Sequence, residues 1–205
     1  MSPPPAQVAG FILAGGHSSR MGRPKALLEI AGEPIIQRLA RLIRDAACHD
    51  VAIIGAGAPA MKGLRVLPDD WPGAGPLAGI ATALRQSDSD WNLILACDLP
   101  YLTHDWLAYL IERGRASSAD ALIPMNDRGA EPLCAMYHRR GAEPIRAALA
   151  RGTRKVTEGL AGLRIERLER AEWKAFDSQG KLFKNMNSPA DYEEARADFG
   201  GRGEK

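Results

Sequence analysis

The order in which two hydrophobic periods follow one another constrains this chain more than any other feature. Val8 to Ala14 is a short apolar run that stops at Gly15-Gly16, and a run of that length reads as a buried strand. Pro34 to Ala47 then places Ile35, Ile36, Leu39, Leu42, Ile43 and Ala46 at helical spacing, with Pro34 suited to the first turn. Val51 to Ile54 is a second apolar run, again ended by Gly, and Leu64 to Leu67 a short third. Leu77 to Leu84 predicts a helix, and Trp91 to Ala96 another buried strand that ends at Cys97-Asp98. Strands and helices alternate through the first half. The expectation is an α/β fold, a three-layer sandwich with a mostly parallel, Rossmann-like sheet and helices on both faces. Such sheets bind ligands beyond the carboxyl ends of their strands. Polar motifs stand at those ends, after Ala14, after Leu67 and after Ala96.

Further along, Thr103 predicts an N-cap for a helix over Trp106, Leu107, Leu110 and Ile111. Ala121 to Pro124 and Leu133 to Tyr137 read as strands, Ala142 to Ala150 as a helix, and Leu163 to Leu168 as a late strand. Pro189 to Phe199 predicts a last helix capped by Ser188. No internal repeat or linker divides the 205 residues, which read as a single domain, with residues 1–6 and 200–205 expected to be flexible ends. The Pro-rich start has no basic region ahead of a long apolar run, so it is not read as a secretory signal. No stretch approaches the roughly 18 apolar residues of a membrane span. A net charge of +2 gives no global attraction to nucleic acid or to an acidic membrane, so any basic site must be local. Cys48, Cys97 and Cys134 are odd in number and show no C-x-x-C spacing. That argues against a disulfide framework or a zinc site and fits a reducing cytoplasm.

The segment after the first strand is Leu13-Ala14-Gly15-Gly16-His17-Ser18-Ser19-Arg20-Met21-Gly22-Arg23-Pro24-Lys25. Two glycines let the backbone approach a ligand and turn N–H groups toward phosphate oxygens. Arg20 and Lys25 add positive charge in the same loop, as a triphosphate requires if its α-phosphorus is to become electrophilic. Neither the P-loop spacing nor the dinucleotide fingerprint is present. In the next polar island, Asp69 to Gly79, Gly-rich backbone can approach a flat base, and an aspartate can accept a bond from guanine or ribose. In Ala96-Cys97-Asp98-Leu99-Pro100, an aspartate at the end of a buried strand is held rigidly and can bind Mg²⁺, which takes one or two carboxylates plus phosphate oxygens. Cys97 beside it reads as a small buried residue, not a nucleophile.

The pattern L-A-G-G-x-S-x-R-M-G-x-x-K resembles the signature of the nucleotidyltransferases of the GT-A-like α/β fold, and Leu-Ala-Gly-Gly within it resembles the molybdenum cofactor guanylyltransferases. The resemblance extends from about Val8 to about Ala195 and implies a role for each matching residue. Leu13, Ala14, Gly15, Gly16 and Lys25 would bind the nucleotide, and Arg20, Lys25 and Asp98 would be catalytic. Asp98, in C-D-x-P, would hold Mg²⁺, while Asp69 and Gly79, around G-P-L-A-G, would contact the nucleotide, with Asp70 a weaker candidate. Glu131-Pro132-Leu133 matches with less force and receives no role. Arg154 and Lys155, and Asn185 and Asn187 in N-x-N-[ST]-P, would face the acceptor. The four histidines, His17, His49, His104 and His138, show no metal-ligand spacing.

The implied reaction transfers GMP from GTP to the terminal phosphate of molybdopterin. Transient contacts with other cofactor-biosynthesis proteins and apo-molybdoenzymes are implied, but none with nucleic acid or membrane. Two positions depart from the pattern. Pro24 stands where many guanylyltransferases have Asp, and Ile53-Ile54-Gly55 ends the second strand where the family often has Asn. Cytidylyl or other nucleotidyl transfer to a small phosphate therefore stays open, as does a non-catalytic module that delivers cofactor.

Overall fold

The computed structural model describes residues 7–15, 25–55, 61 and 63–200. Its strands are β1 Val8–Leu13, β2 Glu29–Ile30, β3 Glu33–Pro34, β4 Asp50–Ile54, β5 Arg65–Leu67, β6 Trp91–Ala96, β7 Ala121–Asn126, β8 Gly129–Ala130, β9 Cys134–His138 and β10 Ile165–Leu168. The α-helices are α1 Ile35–Asp45, α2 Pro76–Gln86, α3 His104–Ala116, α4 Ala142–Ala150, α5 Val156–Gly159, α6 Arg170–Trp173 and α7 Pro189–Gly200.

The main sheet runs β10-β7-β9-β6-β1-β4-β5, with β8 paired to β7. β1 lies parallel to both β4 and β6, β4 to β5, and β10 to β7. β9 alone on this path is inserted antiparallel, between β6 and β7. The expected three-layer, mostly parallel architecture is therefore what forms.

The layers follow from the period of two along each strand. Val8 and Ile12 of β1, Val51 and Ile53 of β4, and Leu93 and Leu95 of β6 point to the face covered by α1 and α3. Ala9, Phe11 and Leu13, Ala52 and Ile54, and Ile94 point to the face covered by α2 and α4. Every one of these side chains is less than a tenth exposed, so the sheet is covered on both sides and its strands carry the continuous apolar runs seen in the sequence.

Local signals place the element ends. Thr103 caps α3 as expected, its Oγ1 accepting from the Trp106 N–H at 3.3 Å. Pro34 is the N-cap residue of α1, one position before the helix, because it also pairs with Glu29 in the β2–β3 hairpin. That hairpin, turned by Ala31 and Gly32 at positive φ, has strands too short to show a period. Gly200, expected in a flexible tail, closes α7; residues 1–6 and 201–205 lie outside the described residues. No helix among the described residues is long and apolar enough to cross a membrane.

Candidate active site

Four strand ends meet at one edge of the sheet. The Leu13 carbonyl accepts from the Cys97 N–H (3.2 Å), the Ile54 carbonyl from the Ala14 N–H (2.8 Å) and the Leu67 carbonyl from the Gly55 N–H (3.2 Å). These bonds knit the ends of β6, β1, β4 and β5 into a continuous lip. Gly55 brings the lip close to the glycine loop. A Cβ there would stand 2.7 Å from the Gly15 nitrogen and 2.9 Å from the Ala14 carbonyl carbon. Backbone therefore abuts backbone at the end of β4.

Leu13 is buried in the core, Ala14 is half-buried and Gly15 is exposed, so the chain emerges from the interior at the start of the loop. Gly16, Arg20 and Pro24, with His17, lie outside the described residues. The loop returns at Lys25, which opens a short 3₁₀ turn anchored by buried Ala26.

Lys25 is where the sequence-distant motifs converge. Its Nζ lies 3.3 Å from Asp98 Oδ2 and donates to Asn187 Oδ1 at 2.8 Å. The side chains of Lys25 and Asp98 are 20% and 19% exposed, which leaves them open to a ligand but sheltered enough to interact strongly. Asp98 turns out of β6, and its carbonyl accepts from the Met186 N–H at 2.9 Å. Met186 is 1% exposed, so it plugs the core while its neighbours cross the site. Asn185, on the other side of that plug, is exposed and forms no hydrogen bond to Lys25 or Asp98.

Asp191 holds Asn187 in place and was not anticipated. Its Oδ2 accepts from the Asn187 N–H (3.0 Å), the Ser188 N–H (2.8 Å) and the Ser188 hydroxyl (2.7 Å). The Ser188 Oγ in turn accepts from the Asp191 N–H at 3.2 Å. This is a reciprocal cap of α7, and S-P-A-D at residues 188–191 carries the signal for it, a hydroxyl three residues ahead of an acid.

The second loop is built inward. Asp69 Oδ1 accepts from the Trp71 N–H (3.0 Å) and from the Thr82 hydroxyl (3.2 Å), which itself accepts from the Asp70 N–H (3.1 Å). Asp70 pairs with Arg85. Thr82 is fully buried on α2, a polar residue in an apolar helix face whose partners cannot be read from the sequence. Gly79 is buried too. A Cβ there would meet Leu13 Cδ2 at 3.0 Å, so its visible contribution is to let α2 settle on the end of β1.

Arg154 and Lys155 stand near the second loop. Arg154 Nη1 donates to the Leu149 (3.2 Å) and Thr153 (3.1 Å) carbonyls, and its own carbonyl lies near Gly75. Lys155 makes an exposed pair with Glu158 at 3.4 Å, an arrangement of little energetic weight. No described contact links either residue to Asp98 or Asn187.

On the opposite side of Asp98 lies Glu131. Its carboxyl is pushed above the usual range mainly by burial, with the negative charge of Asp98 adding to the rise, while Asn126 and Arg128 oppose it. Cys97 is pushed up to about 12, by burial first and then by Asp98, so it is a protonated thiol at neutral pH and no nucleophile. Among the described residues no group of three or more His, Cys, Asp or Glu is placed to hold a metal.

A glycine loop at a β-strand end, a lysine returning from it onto an aspartate at the next strand end, and an asparagine closing from the C-terminal segment together suit an NTP. The model of the MobA-like NTP transferase domain matches residues 10–168, well over half of the chain. The chain belongs to this family. A relative in Bacillus cereus named "probable molybdenum cofactor guanylyltransferase" is 32% identical over 93% of this chain and 96% of its own. One of the same name in Pelotomaculum thermopropionicum is 32% identical over 93% of this chain and 92% of its own. Among solved structures, the molybdopterin-guanine dinucleotide biosynthesis protein A of Archaeoglobus fulgidus superposes with a TM-score of 0.80 at 25% identity, covering 94% of this chain and 99% of that one. The chain is accordingly an enzyme of nucleotidyl transfer in molybdenum cofactor biosynthesis.

Proposed function

We propose that the protein transfers GMP from GTP to the terminal phosphate of molybdopterin, giving molybdopterin guanine dinucleotide and pyrophosphate. The observation that supports this best is the Lys25 ammonium held between Asp98 Oδ2 and Asn187 Oδ1. It brings a phosphate-neutralising cation, a metal-binding carboxylate and a residue of the acceptor-side motif to one point.

In this reading GTP lies over the glycine loop, with Gly15 and Gly16 N–H groups toward its phosphates, and Asp69 and Gly79 serve its nucleoside. Lys25 and Arg20 neutralise the phosphates. A terminal phosphate oxygen of the acceptor forms a bond to the α-phosphorus while the bond to the β-phosphate oxygen breaks, and pyrophosphate carries away the electron pair. An anionic oxygen nucleophile needs no strong general base, so the residues act by placement and charge. Asn187, and with it Asn185, would meet the acceptor at the phosphate end; Arg154 and Lys155 would serve an anionic group near the second loop.

The site also fits a resident Mg²⁺. Two hard oxygens, from Asp98 and Asn187, already converge on one cation, and a single carboxylate suffices for an ion that takes its other oxygens from phosphate and water. Asp98 would hold it, and when bound it would supply further positive charge at the phosphate oxygens.

The test is Mg²⁺-dependent pyrophosphate release with molybdopterin and, in parallel, GTP, CTP or ATP. Release with GTP alone is expected. Release with CTP instead would assign the protein to cytidylyl transfer, the alternative that Pro24 and Ile54 leave open. Binding of GTP without release under any condition would leave a cofactor-delivering module.

A further inference from the structure

We infer that Glu131 reads the acceptor's heterocycle, accepting from the adjacent ring N–H and exocyclic amino group that a pterin presents on one edge. The inference rests on the proposed function for the identity of the acceptor, and on the structure for the place and chemistry of the residue.

The place follows from strand order. The sheet runs β9-β6-β1-β4-β5, and the elements assigned to the nucleotide, the glycine loop and the 69–79 loop, follow β1 and β5. Asp98 leaves the end of β6. On its far side comes β9, and the Glu131-Pro132-Leu133 segment leads into it. The Leu133 carbonyl accepts from the Ala96 N–H at 2.8 Å, which fixes that segment alongside the strand that delivers Asp98. The Glu131 N–H donates to the Pro124 carbonyl at 2.8 Å, and its carbonyl accepts from the Cys134 N–H at 3.1 Å, so the residue is clamped from both sides. Tyr137, buried, donates its hydroxyl to the Pro132 carbonyl at 2.7 Å and stiffens the same turn from beneath. The residue is thus fixed by its backbone, as a recognition group must be.

The chemistry follows from the carboxylate's surroundings. Asn126 Nδ2 donates to Glu131 Oε1. Among the described residues Oε2 has no hydrogen-bond partner. The group is half-buried, and although Asn126 and Arg128 favour its charge, burial and the repulsion of Asp98 outweigh them, which makes this an unfavourable place to keep a negative charge without a further donor to meet it. It is also an unsuitable place for a phosphate. What it can accept is an uncharged ring edge with N–H and NH₂ side by side, where a carboxylate forms two strong, charge-assisted bonds. Guanine has such an edge as well, but the strand order puts the nucleotide on the other side of Asp98.

The experiment uses the full chain, with pterin and lumazine as fluorescent probes; lumazine carries a carbonyl where pterin carries its amino group. The wild type is expected to bind pterin over lumazine, and Glu131→Gln to bind pterin about tenfold to a hundredfold more weakly, to lose the preference, and to keep its affinity for GTP. Retained GTP affinity also reports that the near-isosteric variant is folded. The inference is overturned if the wild type shows no preference for pterin, if Glu131→Gln keeps it, or if the variant loses GTP binding in place of pterin binding. Pyrophosphate release from GTP and molybdopterin, run on the same wild-type preparation, separates the two claims. Release without a Glu131-dependent pterin preference removes this inference and leaves the reaction. A Glu131-dependent preference without release keeps the pterin site and removes the reaction.

Discussion

Replacing Asp191 by Ala tests whether the C-terminal segment is part of the active site or only adjoins it. One carboxylate oxygen accepts three hydrogen bonds, from the Asn187 N–H, the Ser188 N–H and the Ser188 hydroxyl. Loss of a helix cap costs about 1 kcal/mol, and the bond from Asn187 to a charged acceptor adds a similar amount, discounted because the group is partly exposed. The expected destabilisation is about 1–2 kcal/mol, which in a domain of this size lowers Tm by roughly 3–6 °C. The pH dependence has a definite sign. Hydrogen bonds from the Ser188 hydroxyl, then from the Asn187 N–H, hold the Asp191 carboxyl below its ordinary value. A folded pKa below the unfolded one stabilises the protein above the unfolded value, near pH 4, and that contribution disappears as pH falls through the folded value. Thermal melts of wild type and Asp191→Ala should therefore differ at pH 7 and converge in acid. Asn187 also carries the acceptor of the Lys25 bond, so freeing it should lower kcat/KM for pyrophosphate release about tenfold at pH 7. Equal melting temperatures, or a gap that persists unchanged into acid, would refute the capping argument. A Tm loss with undiminished turnover would refute the link to the site.

Other outcomes follow from the same geometry. Lys25→Ala or Asp98→Asn should reduce transfer by about a hundredfold or more while melting close to wild type, since both side chains are partly exposed and outside the core; near-normal turnover in either would end their assignment. Gly55→Ala must displace Gly15, because its Cβ would stand 2.7 Å from the Gly15 nitrogen, and calorimetry should show GTP affinity down about tenfold. An unchanged affinity would show that the glycine loop does not depend on this contact. Asp120 is drawn down to about 2, burial being outweighed by bonds from Arg140 and Arg164. Asp120→Asn should therefore lose roughly 2 kcal/mol at neutral pH and match wild type below about pH 2, measured by urea titration across that window.

The sequence alone determined the layers. Continuous apolar runs of strand length can only be buried on both faces, and helical periods between them supply the covering, so an α/β sandwich was legible before any contact was known. It also determined the chemistry of the strand ends, because Gly15-Gly16, Lys25 and Asp98 announce themselves locally. Tertiary structure decided what is not local. β9 turns antiparallel because it follows β7 through a tight turn and β8 instead of a crossover helix, and its alternation does not record direction. Asp98 and Asn187 lie 73 and 162 positions along the chain from Lys25, and no periodicity relates them. Only the tertiary fold does, by pinning the segment ahead of α7 to the Asp98 carbonyl through the Met186 N–H. Asp69 reads as a ligand residue in the sequence, yet Thr82 and the Trp71 N–H occupy one of its oxygens, because a buried hydroxyl on α2 needs an acceptor and Asp69 is within its reach. Motifs name the groups a site can use; which of those groups face one another is set by how the helices pack against the sheet.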